Sequence, residues 1–128
     1  MRSQFAGTND LGTAYLREVS VVAQLDGGWG VFVAFNANDV LVASWTKEVI
    51  EVAMIDAYGA LYTSGLDVRL ASVAAYFPVV DEYGTESDTI VYKTILGVAE
   101  AQSVNWDNAL IIDWSWIWKV SILHPEFR

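Results

Sequence analysis

The chain contains no cysteine, a single histidine and only seven lysines and arginines among 128 residues. Without cysteine there is no disulfide, no zinc–thiolate site and no thiol nucleophile, while the compartment is left open. The lone histidine, His124, excludes a histidine cluster for zinc. A hydrolytic triad would require it to recruit a serine and an acid from elsewhere in the chain. Next to Pro125 it reads instead as a helix-end residue, where its charge is favourable beside the helix dipole. The seven basic residues face sixteen acidic ones, a formal net charge of -9, and that field repels phosphate backbones and anionic headgroups. Nucleic acid is therefore not an expected partner. Long apolar runs are also missing: Asp, Gly, Ser or Asn interrupts every stretch well before the ~18–20 residues of a membrane-spanning helix. The opening MRSQFAGTND has one arginine with no apolar run behind it, so no signal peptide is read there.

What is abundant is apolar and aromatic surface. Hydrophobic residues make up 54% of the chain, with six tryptophans, a surplus spread over short segments. Four of the tryptophans, Trp106, Trp114, Trp116 and Trp118, fall in the last quarter. That much rigid surface has three outlets: the core of one chain, an interface with another protein, or a ligand.

Residues 1–10 read as a loose tail, and 11–128 as one domain, long enough for a single core without a metal or disulfide. Val19, Val21, Ala23 and Leu25 alternate with polar neighbours, Asp26-Gly27-Gly28 forms a turn, and Trp29, Val31, Val33 and Phe35 alternate again, which predicts a hairpin. Because that glycine run leads into a strand rather than a helix, it is not a phosphate cradle. Phe32, Ala34 and Val22 make the other face of the hairpin partly apolar. Asn36, Asn38 and Asp39 close the second strand, and Ser44 or Thr46 caps a helix predicted over roughly 45–63 from the spacing of Val49, Ile50, Ala53, Ala57, Ala60 and Leu61. Gly65 terminates it. Met54, Ile55, Tyr58 and Tyr62 widen the apolar stripe of that helix, which implies a second contact.

A second hairpin follows, from Leu66 to about Val80 and back through Ile90, Tyr92 and Thr94, around Asp81-Glu82-Tyr83-Gly84. The acidic run Asp81 to Asp88 could begin a calcium loop, but the same residues serve a tight turn, which is the reading adopted. Gly97 to Ser103 tolerates helix, and Asn105-Trp106-Asp107-Asn108 favours a turn. The tail fits two periodicities. Asp113 could cap a helix in which Trp114, Ile117, Trp118 and Ile122 share a face, or Trp114 to Ile122 could alternate as a strand. The helix is preferred partly because the segment ends at His124-Pro125 and partly from the resemblance described below. The expected fold is then α+β in ββαββα order, with a four-stranded antiparallel sheet and helices mainly on one face.

The succession Asp81-x-x-Gly84 with Glu86, then Asn105-Trp106-Asp107-Asn108, then His124-Pro125-x-Phe127, preceded by a helix of about eighteen residues, resembles an uncharacterised domain of extracytoplasmic lipoproteins of Gram-positive bacteria. The resemblance spans roughly Arg17 to the C-terminus. It implies the ββαββα order, a helical C-terminus, and display outside the membrane as part of a longer anchored protein. It brings no activity and no functional residue.

No base, nucleophile and oxyanion donor come together in the sequence, so the expectation is a non-enzymatic domain without catalytic residues, metal or cofactor. Its role is protein binding or self-association, with Tyr58 and Tyr62 on the helix and Trp106, Trp114, Trp116 and Trp118 in the tail as candidate contacts. The alternative is a carbohydrate or small-ligand module built on the four tail tryptophans, whose flat faces lie beside Asp and Asn.

Overall fold

The computed structural model describes residues 16–25, 27–37, 43–80 and 82–125, without the side chains of 43–46, 79 and 80. The expected loose tail, Asp26, Asn38 and Asp39, Asp81 of the second turn and Phe127 lie outside them. Among the described residues no helix is long and apolar enough to cross a membrane.

Strands β1 (Leu16–Ala23) and β2 (Trp29–Asn36) form the expected antiparallel hairpin. Gly27 and Gly28 turn it at φ +99° and +71°, values that glycine alone adopts without a Cβ penalty. Helix α1 (Ala43–Tyr62) follows, then β3 (Val68–Val80), β4 (Glu86–Gly97) and a short helix α2 (Val98–Ser103). Two 3-10 helices, Trp106–Ile111 and Trp114–Trp116, lead to β5 (Lys119–Leu123). The fold is α+β, as expected, but the sheet has five strands in the order β1-β2-β3-β4-β5 and is mixed rather than antiparallel.

Two corrections explain that difference. The two hairpins meet across β2 and β3, which α1 connects, and a chain that returns over a crossover helix lays its next strand parallel to the last. The tail is a strand where a helix is expected. Asp113 does cap, its Oδ1 accepting from the Ser115 N–H at 3.1 Å, but for one 3-10 turn only. Beyond it β5 pairs with the edge of β4, Leu123 opposite Tyr92 and Val120 opposite Thr94, and the His124 N–H continues the edge by donating to Val91 O at 2.7 Å. Without β5 that row of β4 carbonyls and amides would have no strand to pair with, a cost a solitary terminal helix does not offset. His124-Pro125 thus ends a strand. At the other end, α1 begins ahead of Ser44 and Thr46, so neither stands at the cap position.

Register aligns residues in rows across the sheet, Val19, Val33, Val73, Thr94 and Val120, and beside it Leu16, Phe35, Ala75, Tyr92 and Leu123; the central members of each row are buried, while Val120 at the edge is exposed. Ile50, Met54, Ala57, Tyr58 and Leu61, a helical stripe, are buried in the same cluster as Val33, Phe35, Val73 and Ala75. Each large apolar side chain so buried contributes about 1.5–3 kcal/mol. Among the described residues Thr94 is a polar side chain wholly inside, and it is satisfied: its Oγ1 shares a hydrogen bond of 2.8 Å with the Tyr58 hydroxyl and lies 3.6 Å from Met54 Sδ. The other sheet face is held at one end by Arg17, which pairs with Asp88, donates to Asn36 Oδ1 at 3.1 Å and lies 3.9 Å over the Tyr76 ring. Asp88 of the acidic run therefore ties β4 to β1. Gly84 takes the positive φ, +80°, that the turn reading requires, and no group of metal-binding side chains occurs among the described residues.

Candidate functional site

The tail crosses the helix side of the sheet as a file of aromatic rings. Trp106 stacks on Tyr62 of α1 at 6.5 Å and 14°. Trp114 lies 5.8 Å from Trp106, Trp118 lies 5.1 Å from Trp114, and Trp118 meets Tyr58 at 6.2 Å and Tyr92 edge-on at 6.3 Å. Gly59 makes the docking of Trp106 possible, since a Cβ there would stand 3.3 Å from Trp106 Cε3. Two Asx caps bend the segment into place: Asn105 Oδ1 accepts from the Asp107 N–H, and Asp113 Oδ1 from Ser115. The Trp114 indole N–H, buried with its ring, donates to Ala109 O at 2.7 Å.

The six candidate contact residues thus separate. Tyr58, Trp114 and Trp118 are buried, Tyr62 and Trp106 are half-buried, and Trp116 stands 85% exposed. Of the second stripe of α1, Met54, Ile55 and Tyr58 are buried within the chain and Tyr62 is half-buried. In the segment between α2 and β5 the large apolar side chains exposed among the described residues are Trp116, Ile111, 83% exposed, and Leu110, 61% exposed; Val120 and Ile122 of β5 are exposed as well.

Between α1, the β4–β5 edge and the tail lies a cleft of about 510 Å³. Its apolar wall includes Val52 and Ile55 of α1, Val120 and Leu123 of β5, and the edges of Trp114 and Trp118. Its polar lining is Lys47, Glu48 and Glu51 of α1 with Tyr92, Asp113 and Ser115. The Tyr92 hydroxyl donates to Glu51 Oε2 at 2.6 Å, bridging helix and sheet. Sequence reasoning missed this pair and the cleft around it. Glu51 and Tyr92 are 41 residues apart, and only the sheet register and the placing of α1 bring them together. A hint lay in Leu110-Ile111-Ile112, an apolar run between two Asx turns too short for a core element.

Burial sets the chemistry of the phenols. It raises Tyr58 and Tyr92 far above the ordinary tyrosine range, for Tyr92 with Glu51 as a further cause, and pushes Tyr62 up from 10.0 to about 12. Asp113 is held below the ordinary carboxylate range, first by the Ser115 hydroxyl at 2.6 Å and then by the Ser115 backbone N–H. A phenol whose pKa rises on folding favours the fold fully below its unfolded value and loses that contribution as pH climbs through the folded value. The fold is therefore expected to hold to about pH 10 and weaken as pH approaches about 12. Tyrosinate absorbance and far-ultraviolet circular dichroism recorded together check this. Tyr62, Tyr58 and Tyr92 should ionise only as the dichroism is lost, and full ionisation of all tyrosines at pH 10–11 with the dichroism intact would contradict it.

Comparison with family models, curated proteins and solved structures finds no match to this chain.

Proposed function

We propose that the chain is a non-enzymatic binding domain whose protein contacts are made by the exposed apolar side chains Leu110, Ile111 and Trp116. The observation that carries this reading is the exposure of Trp116, 85%, within a segment where Trp114 and Trp118 are buried and Trp106 is half-buried. Tryptophan is the residue type most often found as an interface anchor, and an isolated ring in water carries an unfavourable hydration cost that a partner removes. The resemblance to extracytoplasmic lipoprotein domains belongs to the same proposal, under which these side chains would be displayed outside the membrane.

A second copy of the chain is the partner to test first. Light scattering at micromolar protein should report about twice the 14.1 kDa chain mass, and Trp116→Ser should return it to the monomer. At concentrations low enough for the parent to be a monomer, the variant's melting temperature should stay close to the parent's, because an exposed substitution of this kind changes stability by about 0.5 kcal/mol or less; at higher concentration the parent alone gains stability by association. A monomer at every accessible concentration contradicts self-association. The tyrosines of α1 are unsuitable for this test, since Tyr58→Glu would place a carboxylate in the core.

The cleft favours a second reading, a small-ligand module. Its volume lies within the ~300–1,000 Å³ of small-molecule sites, and tryptophan edges with a few convergent polar groups line it.

A further inference from the structure

The charge of the cleft is one-sided. Three carboxylates, Glu48, Glu51 and Asp113, line it against one ammonium, Lys47. The ion pairs among the described residues are Arg17 with Asp88 and Arg69 with Asp67, so none of the three cleft carboxylates is neutralised by a pair within them. Glu51 accepts a hydrogen bond from Tyr92, a neutral donor that orients the carboxylate without cancelling its charge and occupies one of its oxygens. Asp113 is fixed the same way by the Ser115 hydroxyl and N–H. These preset carboxylates face an apolar wall of Val52, Ile55, Val120 and Leu123 and the rims of Trp114 and Trp118. The overall charge of -9 favours approach of a cation and opposes that of an anion.

Resting on the small-ligand reading, we infer that the cleft between α1, β5 and the 3-10 tail binds an amphiphilic cation, an amine whose apolar body lies on the wall and whose ammonium meets Glu48, Glu51 and Asp113. An ammonium donates to carboxylates, whereas the same body carrying a carboxylate is repelled.

Octylamine, octanol and octanoate share one apolar body and differ in head charge. Titrated below micelle formation into the full chain, with indole N–H shifts and tryptophan emission as readouts, octylamine should give saturable changes at Trp114 and Trp118. Its affinity should exceed that of octanol by about tenfold, and octanoate should give no change. In Glu48→Gln/Glu51→Gln/Asp113→Asn the amine should fall to the alcohol's affinity. That variant keeps the fold, because Gln still offers Tyr92 an acceptor and Asn caps as well as Asp. Glu82→Gln/Glu86→Gln/Asp107→Asn removes as many charges outside the cleft and should leave amine binding intact. Equal binding of octylamine and octanol would overturn the cationic class while keeping a ligand cleft. Equal loss of amine binding in both variants would reduce it to bulk attraction and overturn the site. No response to any probe would overturn the small-ligand reading itself.

Discussion

Replacing Trp118 with alanine is expected to destabilise the fold by about 3–5 kcal/mol, the range for truncating a buried large aromatic. Trp118 touches Tyr58, Tyr92 and Trp114, so it joins α1, β4 and the tail, and it is 6% exposed. Its loss leaves a cavity among rings that cannot collapse together, since Tyr58 is tied to Thr94 and Trp114 to Ala109. For a domain of this size the melting temperature should fall by about 10–20 °C. Trp116→Ala, two positions away, should change stability by about 0.5 kcal/mol or less, because its ring is in water. Denaturant titrations of the two variants side by side check both values. Similar losses for the two would mean that the tail is not docked as described.

The second large effect is expected at the first turn. Gly28 has φ +71°, and a Cβ there would stand 2.7 Å from Asp67 O and 2.5 Å from Arg69 Cγ. The arginine stem can swing away, but the carbonyl cannot, because it accepts the Trp29 N–H at 2.8 Å and starts the parallel pairing of β2 with β3. Gly28→Ala is expected to cost about 2–3 kcal/mol, the left-handed strain plus displacement of that bond. Gly27→Ala carries the strain alone, with φ +99° and open space at its Cβ, and should cost about 1–2 kcal/mol. Thermal melts of the two variants distinguish them. Equal losses would show that the carbonyl contact does not constrain the junction of β2 and β3.

Local signals account for most of what the sequence made legible. Both hairpins and α1 stand within a few residues of their expected positions, because alternation, turn glycines and the 3.6-residue spacing are properties of short windows. What the sequence hid is non-local. The parallel meeting of β2 and β3 depends on how α1 returns the chain, and the choice of strand for Lys119–Leu123 depends on the edge that β4 presents. The helix expectation for the tail nevertheless groups Trp114 with Trp118 and leaves Trp116 aside, which matches their burial, whereas a regular strand would have put all three on one face. The 3-10 turn at Trp114–Trp116 produces that division. Among the candidate contacts, the helix tyrosines read as surface because a stripe wider than one sheet face implies a partner. The partner is the chain's own tail, with Trp106 on Tyr62 and Trp118 on Tyr58.

Hydrogen exchange of the tail indoles tests most directly the claim that the tryptophans divide between an internal core and one exposed anchor. The Trp114 N–H, buried and bonded to Ala109 O, should exchange only through unfolding and be slowed by several orders of magnitude, while the Trp116 N–H should exchange near the free rate. Fast exchange at Trp114, or protection of Trp116 equal to it in the monomer, would contradict the account.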